Sequence, residues 1–128
     1  VKLVSVQQRL MFLVQRHLID EDIMTITLNI RNQLGKKWQV NLETKQVEML
    51  LIHLAMALGR IKRGYVAQAL NADFFAEIER AVCFTKVLAL HQELLDFIPF
   101  PIPEAEQSHF IANIYSLSLA QPWILTNK

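Results

Sequence analysis

The chain has 128 residues, of which 52% are hydrophobic and only three are glycine and four proline, enough for one core without disulfides or metal staples. So few breakers exclude a disordered or low-complexity chain and disfavour a turn-rich all-β domain. Thirteen Lys and Arg against twelve Asp and Glu leave a net charge of +1, so bulk charge argues for neither nucleic acid nor an anionic membrane surface.

The chain begins at Val1 rather than methionine, which reads as a processed product or a piece of something longer. Leu3, Val6, Leu10, Leu13, Val14 and Leu18 then recur at helical spacing and predict an extra N-terminal helix over residues 1–18. The acidic run Asp20-Glu21-Asp22 suits a helix N-terminus. Ile23, Ile26, Ile30 and Leu34 continue as a second stripe, with Gly35 at a natural C-cap and residues 36–41 as a short polar link. Residues 43–63 read as one long helix stopped by Gly64, with Val47, Leu50, Leu51, Leu54, Leu58 and Ile61 as its core stripe. Asn71 or Asp73 can cap the next helical region, whose apolar positions run from Phe75 through Val82 to Phe97. That region is one helix or two, with any break near residues 83–86. Pro99, Pro101 and Pro103 mark an extended link, and a last helix fits from Glu104 to about Leu119, stopped by Pro122. Residues 121–128 form a tail. The fold class is all-α, a single compact bundle of five to six helices.

The longest apolar stretch, residues 49–59, contains His53 and falls short of the roughly 20 residues a membrane span needs. Cys83, the only cysteine, cannot form an internal disulfide, which fits a reducing, cytoplasmic compartment; its apolar neighbours make it a core thiol. His17, His53, His91 and His109 lie 18 or more residues apart, without HExxH spacing or paired cysteines. Glu106-x-x-His109 has the spacing of half a carboxylate–histidine metal site, but no second copy exists. No cofactor, metal or Gly-rich phosphate loop is indicated, and a small helical metal or redox enzyme is disfavoured because no ligand set is complete.

His53 lies off the core stripe of its helix, on a face with Met49, Met56, Ala57 and Arg60. Arg60 is seven residues on, nearly two full turns and about 10.5 Å along the axis. The run from His53 to Gly64, His-Leu-Ala-Met-Ala-Leu-Gly-Arg-Ile-Lys-Arg-Gly, resembles the signature around the first histidine of the PTS regulation domain, or PRD. Residues 30–37 resemble the end of that family's first helix, residues 71–78 its small-polar, paired-apolar, Glu-Ile segment, and residues 103–112 the acidic lead-in to its last helix. The likeness covers residues 20–120.

The resemblance implies a non-enzymatic, cytoplasmic regulatory domain of bacterial antiterminators and activators. It implies that His53 accepts a phosphoryl group from the phosphocarrier HPr or a sugar-specific component of the phosphotransferase system. Imidazole suits that role, since an unperturbed pKa of about 6.5 leaves a neutral nucleophilic nitrogen at cellular pH. Arg60 matches the family's arginine as a charge-balancing group, or is a solvated helix-end cation. Family members usually carry a second histidine seven positions after the glutamate matching Glu106; here that position is Asn113. His109, four residues earlier, substitutes for it or is a plain surface histidine. A homodimer that includes the His53–Arg60 face is implied, without direct nucleic-acid binding by this chain. The alternative is a helical interaction or dimerisation module that has lost phosphoacceptor function.

Overall fold

A computed structural model describes the backbone of residues 2–126 and the side-chain surroundings of residues 6–126. Leu3 of the expected first stripe and the last two residues of the expected tail lie outside that range. The architecture is all-α, with six α-helices and no strand among the described residues. Contacts gather into two units, residues 1–65 and residues 66–128.

In the first unit, α1 (Lys2–Gln15), α2 (Glu21–Lys37) and α3 (Lys45–Lys62) pack pairwise against one another. Val6, Leu10 and Leu13 of α1 are buried as expected. Leu18 is exposed because α1 has already ended. His17 takes the left-handed conformation (φ 61°) that turns the chain, and the amides of His17 and Leu18 return to the carbonyls of Val14 and Leu13, closing the helix in a Schellman motif. Asp20 caps α2 by accepting from the Ile23 amide at 2.8 Å.

The end of α2 departs from expectation. Gly35 is helical and is not the C-cap; the helix runs on to Lys37. A Cβ on Gly35 would stand 2.8 Å from Leu42 Cδ1, so close approach explains the glycine rather than backbone freedom. The left-handed turn falls instead on Gln39 (φ 62°). Residues 36–41 are no polar link, since Trp38 and Val40 on either side of that turn are buried.

In the second unit, α4 (Ala72–Glu79), α5 (Phe84–Leu95) and a 3₁₀ turn (Pro122–Leu125) all pack on α6 (Glu104–Ala120). Asn71 caps α4, accepting from the amides of Asp73 and Phe74. The helical region after it is two helices, broken at residues 80–83. Val82, expected on the apolar stripe, is fully exposed in this break, and Cys83 is half-buried at the start of α5 rather than a core thiol. Pro122 opens the 3₁₀ turn at a position where its missing amide costs nothing.

Candidate functional site

The first group of candidates rides on α3. Thr44 Oγ1 starts this helix by accepting from the Val47 amide at 3.2 Å. Gly64 (φ 91°) ends it. The Tyr65 amide bonds the Arg60 carbonyl and the Gly64 amide bonds that of Ile61, each at 3.0 Å, so the helix carrying His53 is fixed at both ends. Between Val47 and Ile61 only His53 and Met56 are exposed. Met49 and Arg60 are half-buried beside them, while Ala57, expected on the same open surface, is buried. His53 thus presents its ring to solvent from the middle of a helix whose other faces are packed.

Two ties hold α1 and the turn after it against α3. Glu48 is nearly fully buried and takes the Arg9 guanidinium at 2.9 Å, Nη1 to Oε2. The same Nη1 lies 3.9 Å from Met49 Sδ. Ten residues on, Gly59 meets the turn so closely that a Cβ would stand 2.1 Å from the Leu18 carbonyl oxygen. Arg63 Nη1 donates to that oxygen at 2.6 Å, and Lys62 Nζ pairs with Asp20 Oδ2 at 2.5 Å. The Lys62 hydrogen bond, helped by the Ile23 amide and opposed by slight burial, holds the Asp20 carboxyl below its ordinary range, and Asp20 in turn raises the Lys62 ammonium. Lys62 and Arg63 therefore bind their own chain.

The second group sits at the start of α6 and holds the extended segment that follows Tyr65. Glu106 is buried, and its Oε2 accepts from the Ala67 amide at 2.9 Å. Ser108 Oγ accepts from the Leu70 amide at 2.9 Å while donating to the Ala105 carbonyl. His109 Nε2 lies 2.7 Å from the Gln68 carbonyl oxygen. A carbonyl only accepts, so His109 carries its proton on Nε2. Glu106 and His109 are brought together as a clamp on residues 67–70. Asn113 is half-buried two turns beyond Glu106. Sequence reasoning missed Ser108 and the clamp itself, whose partners are backbone groups 38 to 41 positions away.

His91 is buried in the same unit. Gln107 donates through Nε2 to the Ile102 carbonyl at 2.8 Å, which turns its Oε1 toward His91 Nε2 at 3.1 Å. The Phe110 ring meets the imidazole edge-on at 6.4 Å. Burial pushes the His91 pKa down, and the Gln107 hydrogen bond offsets part of that push. His91 is a neutral strut between α5 and α6. No group of three or more His, Cys, Asp or Glu side chains among the described residues could hold a metal ion, and none of their helices is long and apolar enough to cross a membrane.

The family model described as "PRD domain" matches residues 28–117. The chain belongs to the PRD family. The match takes in the whole of α3 with His53 and Arg60, and the Glu106–His109 clamp; α1 and the turn after it precede it. This PRD is 44% identical over 106 residues to an uncharacterized protein of Haemophilus influenzae, covering 83% of this chain and 85% of that protein. It is 29% identical over 114 residues to the uncharacterized protein YhfY of Escherichia coli K12, covering 89% of this chain and 95% of that one. No solved structure matches it. PRDs are regulatory domains tied to the sugar phosphotransferase system, and that is the class of this protein.

Proposed function

We propose that this PRD is a cytoplasmic switch phosphorylated on His53 by HPr or a sugar-specific phosphotransferase component, acting in transcriptional regulation through protein contacts. The observation that carries the reading is the exposure of His53 on an otherwise packed helix, with Arg60 on the same face. In the transfer, the lone pair on the unprotonated ring nitrogen of His53 attacks the phosphorus of the donor's phosphohistidine. The donor ring carries a proton on its other nitrogen, so as the new N–P bond forms and the donor's N–P bond breaks it leaves as neutral imidazole, while His53 releases its own remaining ring proton to solvent. The Arg60 guanidinium, two turns along, offsets part of the charge of the phosphoryl group. That group brings a negative charge and strong acceptor oxygens, which re-bias any surface that includes His53. The chain is not an enzyme on this reading and does not touch nucleic acid itself.

The second reading, an interaction or dimerisation module without phosphoacceptor function, draws on Asn113 at the usual place of the second histidine. An amide side chain has no ring nitrogen to take a phosphoryl group. His109 spends Nε2 on the Gln68 carbonyl, which counts against it as a substitute. One assay decides. The protein is mixed with phosphoenolpyruvate, enzyme I and HPr, with or without sugar-specific components, and its intact mass is read. A gain of one phosphoryl group that disappears in His53→Ala is the expected result; no gain with any donor leaves the second reading.

A further inference from the structure

The geometry assigns α1, which lies ahead of the family match, to the docking surface through which a phosphoryl-donor protein reaches His53. This deepens the proposed function and rests on it for the purpose of the docking. We infer that the occupant is a protein surface with an apolar centre and an acidic rim.

The contacts fix how α1 lies beside α3. Arg9 touches Glu48 and Met49, and Leu18 abuts Gly59. Nine residues on one side match ten or eleven on the other, so the two helices run in the same direction. Phe12 lies about 4.5 Å along α1 from Arg9, and His53 about 6 Å along α3 from Met49, which places them at nearly one level. Positions 9 and 12 share the outer edge of α1, with Arg16 just past its end, and positions 45, 49, 53, 56 and 60 share the outer face of α3.

The side chains at these positions have a distinct chemistry. Phe12 is 53% exposed and Met56 37%, with Met49 half-buried between the helices. Arg16 lays its guanidinium over the Phe12 ring, 5.4 Å from the centroid. Lys45 and Arg16 are exposed, and Arg9 and Arg60 half-exposed. Arg9 is paired with the buried Glu48 and adds no net charge, so the positive charge of the face comes from Lys45, Arg16 and Arg60. The face is therefore apolar along its middle, where Met49 and Met56 lie, and cationic at its edges, with His53 on the side of α3 away from α1.

That charge selects the occupant. A two-fold pairing of this face with itself would bring cations of like sign together. An acidic partner is favoured, and a phosphoryl group approaching His53 adds negative charge to the same face. Electrostatic steering of this kind acts chiefly on the association rate and weakens with salt.

The test measures binding separately from phosphoryl transfer. Purified HPr and the sugar-specific components are titrated against the full chain by calorimetry at low and high salt. Arg16→Glu and Phe12→Ser are compared with wild type; both positions are exposed, and circular dichroism confirms that α1 is retained. The expected result is a donor that binds wild type without any phosphoryl source present, with the dissociation constant raised about tenfold or more by Arg16→Glu and by salt. Unchanged binding by both α1 variants, no binding by any donor, or a dimer of this chain disrupted by Phe12→Ser would each overturn the inference. A donor that docks in this way yet adds no mass to His53 refutes the proposed function and leaves the docking surface standing.

Discussion

Replacing Gly59 by alanine sets two known effects against each other. In a helix interior alanine is favoured over glycine by about 1 kcal/mol, so propensity alone makes Gly59→Ala stabilising. The structure says otherwise. The added Cβ would stand 2.1 Å from the Leu18 carbonyl oxygen and 3.2 Å from Ile19 Cγ2. A carbon-to-oxygen contact needs about 3.3 Å, so helix and turn must part by more than about 1 Å. The obstacle is backbone, held in place by Arg63 and followed directly by the Asp20 cap. Overpacking of this kind costs about 3 kcal/mol at the upper end of its usual range. Subtracting the helix-propensity gain leaves a net loss of about 2 kcal/mol, or roughly 6–10 °C in Tm for a chain of this size. Thermal melts followed by circular dichroism read this directly. Gly64→Ala is the control: nothing lies within 4 Å of its added Cβ, and its φ of +91° makes strain the whole cost, about 1 kcal/mol. A Gly59→Ala protein that melts at or above the wild-type temperature refutes the close-approach argument.

Acidification tests the buried strut. Because the folded pKa of His91 is lowered, its neutral form is the native one. The unfolded chain takes up the proton first, so stability is fully present above about pH 6.5 and falls as the pH drops below it toward the folded value. Urea titrations across that range should show a slope that flattens in His91→Gln, which keeps a hydrogen-bonding group but does not titrate; equal slopes would count against the assignment. Glu106→Ala should cost about 2 kcal/mol by leaving the Ala67 amide without its acceptor, and Glu106→Gln less; amide hydrogen exchange at Ala67 should quicken most in the alanine variant. His53→Ala, at an exposed position, should change stability by less than about 0.5 kcal/mol in chemical denaturation, so that any lost phosphorylation reports chemistry rather than unfolding.

What was legible in the sequence was carried by local chemistry. Asp20 and Asn71 announce their helices because a cap acts within three residues, and Gly64 ends α3 because its positive φ is a local demand. The exposure of His53 follows from helical phase alone. Gly35 misleads because a glycine signals either backbone freedom or close approach, and only the position of Leu42 decides between them. Trp38 and Val40 escape notice because two apolar residues on either side of a turn make no periodic pattern. The Arg9–Glu48 tie and the clamp on residues 67–70 were invisible for a different reason. They join positions about 40 apart in the chain, and the clamp engages backbone atoms that every residue possesses.

The burial of Trp38 has an optical consequence. The protein's two tryptophans fall one in each unit, Trp38 fully shielded and Trp123 43% exposed. Indole emission shifts to the red as water relaxes around the excited ring, so Trp38 should emit blue and resist acrylamide while Trp123 emits red and is quenched. Loosening of the first unit would then appear as a red shift of the unquenchable component, before any loss of helix is visible. The native chain thus reports by colour on the unit that bears His53, without an attached label.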